Sequence, residues 1–191
     1  MSGASYEERQ ALRESLRAFF ARYSPEAEVR RVMATDLGYD PALWRRMSDE
    51  LGLPGFALPV EYGGSGFGAG ELQIVLEEMG RALVCAPFLS SAVLAANTLL
   101  AADDTEACAE LLPGIADGTR IATLAALGVA GAYNSSDVFE IVAEATTGGV
   151  TLTGRRTFVP DALAADLFLV TATSDAAASP TATGCRSAMQ P

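Results

Sequence analysis

The chain contains no lysine and no histidine; all thirteen of its basic residues are arginine. Without lysine there is no Schiff-base chemistry and no phosphate-loop lysine. Without histidine there is no imidazole general base, no Ser-His-Asp triad and no histidine metal site. Cysteine is scarce: Cys85, Cys108 and Cys185 are widely spaced, with no C-x-x-C pair. That argues for free thiols in a reducing compartment, and for a cytoplasmic protein, rather than for a disulfide framework or a metal centre. Positive charge is also in deficit. With 24 acidic residues the net charge is −11, which disfavours a nucleic-acid or anionic-membrane surface. A chain so poor in reactive groups has to take hard chemistry from a cofactor.

Half of the 191 residues are apolar, enough for one domain or one and a half with a real core. The N-terminus, Met1 to Gln10, is polar and charged and does not read as a signal peptide. One uncharged stretch, Cys85 to Ala102, approaches membrane-spanning length. Pro87, Ser90, Ser91, Asn97 and its many alanines favour a buried helix with no membrane span.

Helical stripes fill the first part. Leu12, Leu16, Phe19, Phe20 and Tyr23 predict an amphipathic helix over Tyr6 to Tyr23, broken by Ser24-Pro25. A looser segment follows from Glu26 to Tyr39, and Asp40-Pro41 then reads as N-cap plus first-turn proline. Leu43, Trp44, Met47 and Leu51 form the face of that helix, and Gly52 ends it. Trp44 is expected to be a core anchor. A glycine-rich stretch from Pro54 to Gly70 lacks G-x-G-x-x-G spacing, so it reads as a turn between helices and not as a nucleotide loop. Leu72, Val75, Leu76, Met79 and Leu83 carry the next stripe. Glu77 and Glu78 lie on it at adjacent positions, which point apart on a helix; a solvated face or an ion pair is expected, not an acid–base pair. Asp103 and Glu106 open a last helix that ends near Gly118.

The texture then changes. Ile121–Leu127, Val138–Ala143, Val150–Leu152, Thr157–Val159 and Leu167–Thr171 are short β-type runs, with a turn at Gly148-Gly149. Arg155 and Arg156 fall on opposite faces of a strand, so at most one is available for a phosphate. The expected class is α+β: an all-α helical domain over 1–119, an incomplete antiparallel β domain over 120–173, and a disordered tail over 174–191. The tail starts where another strand should follow, so a truncated or frame-shifted reading frame is expected.

The order of motifs resembles the acyl-CoA dehydrogenase family. Trp44 to Gly66 is similar to that family's tryptophan helix followed by a P-E-x-Y-G-G-x-G loop, with Val60 inserted after Pro59. Glu77 to Arg81 resembles its E-E-x-(G/A)-R helix, Leu112 to Gly118 its L-P-x-(L/I)-x-x-G approach, and Gly149 to Val159 its G-(Y/V)-x-L-x-G-x-K-x-(W/F)-(I/V) element. The resemblance implies a helical domain, a middle β domain and a C-terminal bundle. It also implies FAD as cofactor, acyl-CoA as substrate, and α,β-dehydrogenation by a carboxylate base with hydride transfer to the flavin. By position it assigns flavin contacts to Leu127, Phe158, Val159 and Pro160, and a substrate contact to Ser136. Departures are plain. Leu127 and Gly128 stand where the family has Thr-Glu, and Pro160 replaces a hydroxyl residue and carries no N–H. No catalytic residue and no metal ligand is assigned. The expectation is a flavoprotein fragment that is inactive alone, working in a homo- or hetero-oligomer with another subunit of the family. The alternative is a non-catalytic structural or binding subunit of a mixed oligomer, or a degenerate product.

Overall fold

The computed structural model describes residues 4–126, 141–147, 149–174 and 177–185, with side chains up to Thr173. Helix α1 spans Tyr6–Tyr23, as its apolar stripe requires. Ser5 caps it: the Ser5 hydroxyl accepts from Glu8 N, and Glu8 Oε2 accepts from Ser5 N at 2.7 Å. Helix α2 (Glu26–Met33) follows Pro25, and α3 (Pro41–Asp49) starts on Asp40, whose carboxylate accepts from Ala42 N at 2.8 Å. Gly52, at φ 58°, turns the chain out of α3.

Two short 3₁₀ turns (Leu53–Gly55 and Val60–Tyr62) then lead to α4 (Ala69–Arg81). The uncharged stretch becomes a helix in two windings, a π-wound Leu89–Ala95 running on into α5 (Ala96–Ala101). Among the described residues no helix is long and apolar enough to cross a membrane. Helix α6 (Thr105–Ala116) begins on Asp104, one residue later than expected, which accepts from Ala107 N at 3.0 Å.

Trp44 is a core anchor, buried among Leu16, Phe20, Met47 and Val75, with its Nε1 donating to Gly118 O at 2.9 Å. Alongside it Ser48 donates to Asp117 O. These two bonds tie α3 to the end of α6.

Glu77 and Glu78 separate as adjacent helical residues must. Glu77 is exposed, 2.8 Å from Arg13. Glu78 is fully buried between α1 and α4. Its Oε1 lies 2.7 Å from Arg17 Nη2 and 3.2 Å from Arg13 Nη1, and its Oε2 lies 2.7 Å from Arg81 Nε. A buried carboxylate is tolerated only with such partners.

Among the described residues five strands follow: β1 (Ala122–Ala125), β2 (Val142–Thr146), β3 (Gly149–Thr153), β4 (Leu167–Ser174) and β5 (Ala177–Cys185). The sheet order is β1-β4-β2-β3, with β5 also on β4. The expectation of a purely antiparallel sheet is corrected: β4 runs parallel to both β1 and β2, and only the β2–β3 and β4–β5 pairs are antiparallel. The long connection from 126 to 166 makes a parallel β1–β4 pair possible, which a tight hairpin would not. Two further expectations fail. Thr157–Val159 is irregular and not a strand, because Phe158 adopts a left-handed φ of 53°. Residues 177–185, expected to be disordered, pair along β4 from Phe168 to Ser174. That pairing is made by backbone groups on an otherwise open edge, so it does not need the large apolar side chains the tail lacks.

Two predictions follow from the packing. Hydrogen bonding from Arg17, then from Arg81 and Arg13, outweighs burial and holds the Glu78 carboxyl at about 2, against an ordinary 4.5. A depressed carboxyl pKa stabilises the fold above pH 4.5, and the contribution is lost as the pH falls toward 2. Glu78→Gln should cost about 3 kcal/mol at neutral pH. It should also flatten the loss of stability between pH 4.5 and 2, as read by urea unfolding at pH 7 and pH 3. In the glycine loop, a Cβ on Gly64 would stand 2.1 Å from Leu58 O, whereas one on Gly80 in α4 meets nothing within 4 Å. Gly64→Ala should therefore lose about 2–3 kcal/mol. Gly80→Ala should gain about 0.5–1 kcal/mol, both by thermal unfolding.

Candidate functional site

The helical domain meets the sheet through small residues. Ser90, Ser91, Ala92, Ala95 and Ala96 are buried on one side of the seam, and Ala122, Thr123 and Ala125 on the other. Their size lets the π-wound turn lie directly against β1. Adjacent hydroxyls serve two different elements there. Ser91 Oγ accepts from Ala122 N at 3.0 Å, fixing the start of β1. Ser90 Oγ lies 2.6 Å from Asp161 Oδ2, fixing a corner of the chain at 158–161.

That corner holds three of the five residues to which sequence assigned contacts. Phe158 presents its side chain to solvent, 72% exposed. Val159 and Pro160 are half-buried behind it. Pro160 lacks an N–H, and its carbonyl is already taken by the Thr123 hydroxyl at 2.6 Å. The other two residues, Leu127 and Ser136, lie outside the described residues, as does Gly128. The structure therefore brings Phe158, Val159 and Pro160 to the seam.

Arg156, one of the two arginines considered for a phosphate, donates its Nη2 to Thr171 O at 2.8 Å and so braces β4. Its neighbour Arg155 is exposed. Of the two thiols described, Cys108 is buried on α6 and burial pushes it up; Cys85 sits half-buried after α4 and is pushed up for the same reason. Neither has the depressed pKa of a reactive thiolate.

Sequence reasoning missed Asp161, Ser90 and Thr123 as parts of this corner. Ser90 and Ser91 stood out as polar residues in an uncharged helix, but nothing local links them to positions 31 and 71 residues away. Asp161 follows a proline and reads as an ordinary turn residue.

A separate open cleft of about 1180 Å³ lies between the start of α1 and the loop 57–68, lined among others by Leu12, Val60 and Phe67. It shares no residue with the corner. Its one arginine, Arg9, is spent on Glu71 at 3.1 Å.

The corner can be tested against FAD. An exposed aromatic side chain suits the flat apolar face of an isoalloxazine ring. The hydrogen-bonding side falls short, because the hydroxyls of Ser90, Ser91 and Thr123 are engaged within the chain and Pro160 cannot donate. The described residues thus fit a wall of such a site and not its polar cradle.

Comparison with known proteins agrees with this architecture. Residues 6–119 match the family described as acyl-CoA dehydrogenase, N-terminal domain. Acyl-CoA dehydrogenase IpdE2 of Mycobacterium tuberculosis is 40% identical over 147 residues, covering 76% of this chain and 44% of that protein. Acyl-CoA dehydrogenase FadE27 of the same organism is 36% identical over 140 residues, 73% of this chain and 36% of that protein. The solved ChsE4-ChsE5 complex from Mycobacterium tuberculosis aligns at 30% identity with a TM-score of 0.80, over 96% of this chain and 49% of that one. The chain spans less than half the length of these relatives. With more than half of its own residues matched by the family's N-terminal domain, the chain belongs to the acyl-CoA dehydrogenase family.

Proposed function

We propose that this chain builds the helical wall and the first strands of an FAD-dependent acyl-CoA dehydrogenase site, and that the site is completed by protein outside the residues described. The observation that carries this reading is the corner at the seam, where Phe158 is exposed and the surrounding hydroxyls are committed elsewhere. FAD, when bound, supplies the hydride acceptor for α,β-dehydrogenation of an acyl-CoA thioester. The part of this chain is to bind and exclude water. Phe158 offers a flat apolar surface, and the seam is built of small, buried residues. Neither task supplies the general base or the thioester oxygen contacts that the reaction needs.

The same deficit supports a role inside a mixed oligomer. The ChsE4-ChsE5 complex is an assembly of two different components, and this chain shares its fold. A second subunit of the family would then contribute the polar contacts and the base, with this chain as its structural partner.

Purified alone, the chain should lose flavin absorbance on desalting and show no acyl-CoA oxidation with an artificial electron acceptor. Co-expression with a complete subunit of the family should yield a complex that keeps both. Tight FAD together with turnover in the isolated chain would overturn the proposal.

A further inference from the structure

The corner at 158–161 is strained and held in place. Phe158 and Asp161 have left-handed φ values of 53° and 49°. L-residues avoid this region, and an aromatic there is an outlier, although aspartate tolerates it better. Such geometry persists only where the surroundings over-determine it, and it gathers at functional sites. Here the surroundings are specific. Between the two strained residues, Pro160 O accepts from the buried Thr123 hydroxyl at 2.6 Å. Beyond them, Ala164 N closes onto Asp161 O at 2.9 Å.

The third restraint comes from the helical domain. Ser90 is fully buried in the π-wound turn, where its Oγ is 2.6 Å from Asp161 Oδ2 and 3.1 Å from Pro87 O. A hydroxyl has one proton, and the shorter contact to a carboxylate is the stronger bond. The outcome of all three restraints is an aromatic side chain left in solvent, where hydrophobicity alone would not leave it.

We propose that Asp161 is a positioning residue: its bond to Ser90 holds the left-handed corner that presents Phe158 as a platform for a planar ligand. It acts through Phe158 and does not itself touch the ligand. The identity of that ligand as a flavin rests on the function proposed above; the positioning of the corner does not. Aspartate suits the task twice over, since its short side chain reaches Ser90 and its backbone accepts positive φ. Communication is direct, because the same turn of helix that holds the corner through Ser90 holds β1 through Ser91.

Hydrogen–deuterium exchange on the full chain reads the corner itself. Ser90→Ala and Asp161→Ala should each speed exchange over residues 157–166 about tenfold, while α1 and α4 stay as in the unaltered chain. Asp161→Asn, whose amide oxygen still accepts a hydrogen bond, should restore most of the protection. Acceleration spread over all elements, or none at the corner, overturns the proposal. Titration with FAD, read as quenching of its fluorescence, detects weak association that desalting loses. Phe158→Ala should abolish it, and Asp161→Ala should weaken it about tenfold with Asp161→Asn close to the unaltered chain. An Asp161→Ala chain with a loosened corner and unchanged quenching overturns the positioning role. No quenching by the unaltered chain overturns the flavin reading alone, and the exchange data then decide whether Asp161 sets the corner.

Discussion

Small side chains at one seam decide where everything beyond residue 120 sits. Ala92, Ala95 and Ala96 on the helix and Ala122 and Ala125 on β1 are almost without exposed surface. Larger residues would hold the two elements apart and put the seam's hydroxyls out of reach of their partners. Because they are small, Ser91 reaches the backbone of Ala122 and Ser90 reaches Asp161. The parallel pairing of β1 with β4 follows from where β1 is anchored, and Asp166 fastens the return by accepting from Ile121 N at 3.0 Å. Sheet and corner are thus positioned from the helical side.

The helical side is rigid for a different reason. Glu78 is a carboxylate without access to water, and three arginines from two helices converge on it. The arrangement contributes less net stability than its short distances suggest, since each charge gave up hydration. Arg81 reaches Glu78 from its own helix, and Arg13 and Arg17 reach it from α1, so the cluster ties the two helices together. The apolar packing of Leu16, Phe19 and Phe20 against Val75 and Met79 provides the bulk of the stabilisation.

The chain shares the family's helical architecture, and the hydroxyls around its described corner are engaged within the chain. At the corner, Pro160 has no N–H and its carbonyl is taken by the Thr123 hydroxyl. What is kept is shape: an exposed aromatic on a strained corner with three restraints behind it. Under the function proposed above, that surface is the wall of a site and its polar neighbours serve the chain's own fold.

Local rules accounted for most of the helices, though not for α2 (Glu26–Met33), which lies in a stretch without a clear stripe. The bounds of α1 follow from its stripe and the Ser24-Pro25 break, α3 from Asp40-Pro41, and the fate of Glu77 and Glu78 from the 100° between adjacent helical residues. Each of these depends on neighbours within a turn or two. The motif order carried the family for the same reason, since it is a property of the string. The sheet did not yield to such reading. Strand direction in β1–β4, the strand at 177–185 and the irregular course of 157–159 depend on which backbone edge is open and on what lies behind it. Ser90 and Asp161 are 71 positions apart, and no composition, period or motif links them. Periodicity and capping reach only as far as the helix turn that creates them, so the sequence by itself determined most of the helical domain. The site had to wait for tertiary structure, because hydrogen bonds at 2.6 Å between distant residues exist only once the chain has folded.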